Sequence, residues 1–430
     1  MLPAAAMAAV IAGLALVFWP SALEQQARRI QAEVAEIRGR PFKSSVDVVR
    51  PSQQEWRAFI DDEMGKAPKV ERYWDVARMV GVYRGPDRDA PEKIFAELVG
   101  FAAGAYDAYT HRFLLIADLP EIEQGVLFAH ELYHGFQDQH FDLKTYLLDV
   151  ALEPGANADL VQARRAVVEG EATYVDTIYQ GRLAGIGRPT REQVAALIAV
   201  QGDWSPERWE EALADPSLDA RVRAQLQQAI ETRKRLPGFL FEALMSAYID
   251  GPAFIHAIRA RGWSEVEKLY GEYPPRSTEQ VLHPEKWFAR EEPIGISWPA
   301  FDRDPLFSDW KLLDQNVIGE RAWQVVFREQ ELREQARSAA AGWNGDRYAV
   351  FVDEKTSAFL MLMYTSWDTP VDAEEFAAAY RRLLQNKHRD APMPTRVELR
   401  GNEVLIVEGA TAASLDAFIE FNRRATVASR

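Results

Sequence analysis

Apolar and polar residues follow different rhythms in different parts of this chain. Residues 2–19 (LPAAAMAAVIAGLALVFW) carry no charge, whereas Leu23–Gly39 interleaves apolar positions with Gln, Glu and Arg at helical spacing. The first run has the composition of a signal-peptide core or a short membrane anchor, and residues 1–22 are assigned to that role. Residues 23–60 are expected to form a helical N-terminal stalk, interrupted at Pro41 and Pro51. Helical periodicity resumes over 53–84. It gives way at GFAAGAYDAYTHRFLLIADLP, 100–120, where Arg112–Ile116 reads as a strand and the segment as a hairpin or edge strand.

A helix is predicted after Pro120, with Glu121 and Glu123 in its first turn. LEPGAN, 152–157, is a loop and 158–184 a second long helix. Residues 190–270 read as helices separated by DWSPE, ADPS and LPG. The Pro-rich stretch from 272 to 305 marks a boundary, so 61–295 and 296–430 are expected as separate units. Residues 309–341 are predicted as a long helical segment. Beyond it RYAVFVD, SAFLMLMYTSW, DAEEFAAAYRRLLQNKH, TRVELRG, EVLIVEG and SLDAFIEFNRRA give the order β-β-α-β-β-α, with a hairpin turn at Gly401-Asn402. The fold class is therefore α+β, mainly helical, with a small C-terminal α+β module.

Composition narrows the chemistry. A net charge of -15 argues against a nucleic-acid partner, which requires a basic face. The absence of cysteine removes disulfides, thiolate metal sites and a cysteine nucleophile, leaving His and carboxylates as metal ligands. Such ligands occur in HELYHGFQDQH, 130–140. On a helix, His130 and His134 lie one turn apart on one face and can aim two imidazoles at a single zinc ion. Glu131, beside the first ligand, is placed to act as general base toward a water. A third ligand must come from elsewhere. RRAVVEGEATYVDTIY, 164–179, offers Glu169, Glu171 and Asp176. Glu169 and Glu171 are about 200° apart around a helix, so both cannot face one ion, while Asp176 returns to the face of Glu169 as a supporting partner. Asp138, four residues after His134, is expected to be an exposed helix residue, the alternative being that it hydrogen-bonds nearby and orders the site.

HELYH followed on a later helix by EGEA resembles the gluzincin class of zinc metallopeptidases. The resemblance implies that Glu169, the glutamate before glycine, is the third zinc ligand. It also implies an edge strand along the cleft, here AYDAYTHRFLLI, on which a peptide backbone could pair. More widely, GAYD, HELYHGFQDQHFDL, VVEGEAT, STEQVLHPEKW and GWNGDRYAVF make residues 95–380 similar to a poorly characterised family of bacterial exported proteins. The expected architecture is thus a gluzincin-like catalytic domain over 61–295, with an edge strand and an active-site helix, plus the C-terminal module.

Donors for a developing oxyanion are sought in Tyr248, in YIDGPAF, and in His283, in the loop STEQVLHPEKW. His140, His256 and His388 read as structural, His111 as a residue of the rim strand, and Trp343 as a packing residue. The expectation is an extracytoplasmic zinc peptidase acting on a peptide or protein substrate. The alternative is a non-catalytic envelope protein that binds zinc or a partner on the same scaffold.

Overall fold

The computed structural model describes residues 22–66, 69–99, 102–117, 119–201, 211–216, isolated positions between 220 and 234, 236–409 and 411–429. The expected signal or anchor over 1–22 therefore lies, except for its last residue, outside the described residues, as does the DWSPE break. No described helix is long and apolar enough to cross a membrane.

Helix α1 (Ala22–Arg38) is not a free stalk. It buries Ala27, Ile30, Val34 and Ile37, which share one stripe at three- and four-residue spacing. That stripe packs on α5 (Glu121–Phe141) and α7 (Ala158–Leu183), and all three helices contribute to one core. The physical reason is in the pattern itself: a stalk has no use for an apolar stripe, and removal of such a stripe from water drives docking. Between α1 and α5 lie β1 (Asp47–Val49), α2 (Gln53–Lys66), α3 (Tyr73–Val80), α4 (Pro91–Val99) and the hairpin β2 (Gly104–Asp107) and β3 (Arg112–Leu115). Strand β3 is central, parallel to β1 and antiparallel to β2, so that among the described residues β2 has a free edge.

A π-helical turn, Lys144–Leu148, and α6 (Asp149–Leu152) follow α5. The loop LEPGAN then ends in Asn157, whose side chain accepts hydrogen bonds from the backbone N–H groups of Asp159 and Leu160 and so starts α7. Helices α8 (Arg191–Gln201) and α9 (Gly238–Arg259) come next. Helix α9 packs against α7 at Gly170 and Gly251. A methyl group on either would overlap the backbone of the other helix, so this approach requires glycine at both positions. Pro252, inside α9, withdraws the N–H that would otherwise serve the Tyr248 carbonyl.

Short helices α10 (Trp263–Lys268), α11 (Thr278–Leu282) and α12 (Pro284–Ala289) lead to β4 (Ile294–Ser297), which pairs antiparallel with the final strand β10 (Thr426–Ser429). The predicted helix over 309–341 is corrected. It is split into β5 (Trp310–Asn316), α13 (Gly319–Glu329), a 3-10 turn and α14 (Ala336–Ala340). Gly319, at φ +81°, turns the chain between strand and helix. Strand β5 joins a five-stranded antiparallel sheet with β6 (Trp343–Asp353), β7 (Phe359–Trp367), β8 (Thr395–Arg400) and β9 (Glu403–Gly409), in the order β5-β6-β7-β9-β8.

Alternation across this sheet explains its nearly continuous apolar strands. Val350, Met361, Met363, Val404 and Ile406 meet α13 and α15 (Pro370–Lys387), while Phe351, Leu360, Leu362, Leu405 and Val407 meet α16 (Leu415–Asn422) and Phe307. Packing also runs across the expected boundary at 295: Val76, Met79 and Val80 of α3 belong to the same core as the sheet. The whole is α+β and mainly helical.

Candidate metal centre

Three donor atoms from two helices converge. His130 Nε2 and His134 Nε2, one turn apart on α5, are 3.1 Å from each other. Glu169 Oε2, from α7, is 3.5 Å from the first and 3.4 Å from the second. For zinc bonded at ~2.0–2.1 Å in a regular tetrahedron, neighbouring ligand atoms are separated by about 3.3 Å. The observed triangle has that size.

Proton placement favours a cation at its centre. His130 Nδ1 lies 2.8 Å from Asp176 Oδ2, and His134 Nδ1 lies 2.8 Å from Gln137 Oε1. Each Nδ1–H is thereby directed outward and each Nε2 lone pair inward. Glu169 Oε2 is buried without a hydrogen-bond partner in the described structure. Two lone pairs and an anionic oxygen facing one another at 3.1–3.5 Å repel unless a positive charge sits among them. The residues therefore fit a divalent metal, and this donor set of two imidazoles and a carboxylate suits zinc.

The electrostatics agree. Burial alone would lower the His130 pKa, but the hydrogen bond to Asp176 and the negative charges of Glu169 and Glu131 raise it well above its ordinary value. Burial would raise Glu169, yet the two imidazoles hold it well below the usual carboxylate range. Burial outweighs the His130 contact at Asp176 and raises its carboxyl. A proton and a metal ion would compete for the same negatively charged place, so that affinity for a metal would fall as pH falls.

The centre opens into a cleft of about 280 Å³, lined by Glu131, Val168 and Tyr248 and along one side by Gly104–Tyr109. Strand β2, with its free edge, forms that side. Glu131 is 8% exposed. Tyr248 lies over His130, with ring centroids 6.0 Å apart, and burial and the nearby Glu169 carboxylate raise its hydroxyl well above its ordinary pKa. It stays a neutral donor. The Gly170–Gly251 approach brings it there, one turn before Gly251 on α9.

His283 is not brought to the cleft. Its Nε2 lies 3.0 Å from Glu320 Oε1 on α13, and this contact, against burial, raises its pKa. Asp138, expected to be exposed, is buried. It accepts hydrogen bonds from Tyr106 Oη at 2.8 Å and from Leu143 N at 3.0 Å, and lies 2.6 Å from His111 Nδ1. It thereby ties β2 and its turn to the motif helix and fixes the rim relative to His130 and His134. His140 Nε2 lies 3.0 Å from the Pro41 carbonyl, and His388 Nε2 lies 2.8 Å from Glu408 Oε2.

Sequence reasoning missed the support beneath His134. Gln137 also donates to the Val168 carbonyl at 2.9 Å and to Tyr270 Oη at 2.7 Å, and lies 3.3 Å from Glu171. Glu171 pairs with Arg38 of α1 at 3.1 Å, both fully buried. Glu171 thus points away from the metal centre, as its position on α7 requires. The available signal was the apolar stripe of α1, which ends in an arginine.

Asp176→Asn should weaken zinc binding by about 10–100-fold, because the carboxylate that orients His130 is lost. Competition with a chromogenic chelator measures this, and an unchanged dissociation constant would show that the contact does not support the ligand.

A family model described as "Domain of unknown function (DUF8575)" matches residues 310–419, the C-terminal sheet and its helices. No curated protein and no solved structure matches the chain.

Proposed function

We propose that this chain is a zinc-dependent peptidase of gluzincin type. The carrying observation is the triangle of His130, His134 and Glu169, with tetrahedral spacing and an unpartnered buried carboxylate oxygen, at the floor of a cleft. Bound zinc would supply an electrophile for a carbonyl oxygen and lower the pKa of a water.

The rest of the chemistry falls to the chain. Glu131 lines the cleft beside His130 and has no hydrogen-bond partner among the described residues, so its carboxylate is free to accept a proton from water and pass it to the leaving amine. Tyr248 offers a neutral hydroxyl to the carbonyl oxygen as negative charge develops there. The free edge of β2 can take an extended peptide as an added strand, which would hold it across the metal centre. We assign the protein to an extracytoplasmic site from the apolar run of residues 2–19.

Purified protein should retain zinc, and a broad peptide-library digest should show cleavage that chelation abolishes and zinc restores. Zinc retained without cleavage of any library member would favour the non-catalytic, zinc-binding alternative.

A further inference from the structure

Arg165 sits on α7 one turn before Glu169. It is half-buried, and among the described residues it has no hydrogen bond and no ion pair. That is unusual here. The chain has 65 acidic residues to 50 basic ones, and several other enclosed arginines meet an acid or a ring: Arg38 meets Glu171, Arg321 meets Asp250, Arg328 meets Glu242, and Arg259 lies over the Trp263 ring. Even its neighbour Arg164 donates to the Tyr146 carbonyl.

The geometry explains why no partner comes from its own helix. The residues three and four positions away are Val161, Gln162, Val168 and Glu169. Glu169 is the only acid among them, and its carboxylate is turned to the imidazoles. Val168 and Glu169 line the cleft, and Arg165 lies one turn before them on the same face of α7. Its charge reaches both Glu169 and Tyr248.

We infer that Arg165 receives a carboxylate of the substrate, so that the site selects peptides with a negative charge close to the scissile bond. This inference rests on the peptidase reading and names its substrate class. A guanidinium presents paired N–H donors that match a carboxylate, and a partly desolvated setting strengthens the pairing. The carboxylate is either the C-terminal one, which would make the enzyme trim chain ends, or that of an Asp or Glu side chain within a longer peptide.

The test is kcat/KM of the zinc-loaded protein on a peptide series that varies Glu against Gln at each position and free against amidated C-termini. Wild type should prefer one carboxylate-bearing form by about 10–100-fold. Arg165→Met should bring that ratio to near one by losing rate on the charged peptide alone, with zinc content unchanged. Arg165→Lys should keep part of the preference. Loss of the preference on amidation identifies the terminal carboxylate, and loss only on Glu-to-Gln exchange identifies a side chain. Two results overturn the inference while leaving a peptidase in place: wild type cleaving charged and neutral peptides equally, or Arg165→Met slowing all peptides by one factor. Failure of wild type to cleave any peptide would overturn the peptidase reading and this substrate class with it.

Discussion

Glu131→Gln should lower kcat for peptide hydrolysis by about 10²–10⁴-fold, the usual contribution of a positioned general base, while zinc content stays at the wild-type level. Glutamine has nearly the same shape and leaves the packing of α5 intact, but it cannot accept a proton from water. His130, His134 and Glu169 converge without help from Glu131, so the metal should remain. Steady-state kinetics beside metal analysis of the same samples checks both halves. Equal turnover in the variant would remove Glu131 from the chemistry. Loss of zinc together with activity would mean that Glu131 holds the site together instead.

The second large effect is expected beneath His134, on the side of α7 turned away from the cleft. Arg38→Met should destabilise the fold by about 3–5 kcal/mol, because it leaves the Glu171 carboxylate buried without its counter-charge. Arg38 is 1% exposed, donates to Tyr133 Oη at 3.0 Å and stacks on Trp263 at 4.3 Å. Methionine fills part of the volume but supplies no charge. Glu171 would keep neutral partners, among them the Tyr270 hydroxyl at 2.6 Å, the Gln137 amide and the Tyr133 hydroxyl, but no counter-charge from Arg38. Adding Glu171→Gln should recover part of the loss, since the unpaired charge is then gone. Denaturant unfolding of the single and double variants measures this coupling, and additive effects would show that the two side chains are energetically independent.

Both predictions show where sequence reading stops. The two imidazoles were legible because they belong to one helix, where a separation of four residues fixes direction. So was the opposition of Glu169 and Glu171 on α7. The hairpin at 104–115 was legible from its turn residues and apolar strand. Arg38 was not, because its partners Glu171 and Glu267 lie 133 and 229 residues further along. Asp138 looked like a solvent-facing helix residue because nothing local shows that Tyr106 and His111 will fold over it. His283 looked available because STEQVLHPEKW reads as a loop, yet Glu320, from a separate helix, takes its Nε2. WKLLDQN was read as helix because a short segment is compatible with either period, and pairing with β6 makes it a strand.

Helical and extended periodicity, the stop signals at Pro and Gly, and the paired imidazoles of HELYH are properties of short windows. Covalent geometry sets them wherever the segment ends up. Which distant groups complete the centre is another matter. That Glu169 faces inward while Glu171 meets Arg38, that α1 docks, and that Tyr248 reaches His130 all follow from the contact of α7 with α9 and α1. Those choices are made by burial and charge pairing summed over the folded chain, which no local window contains.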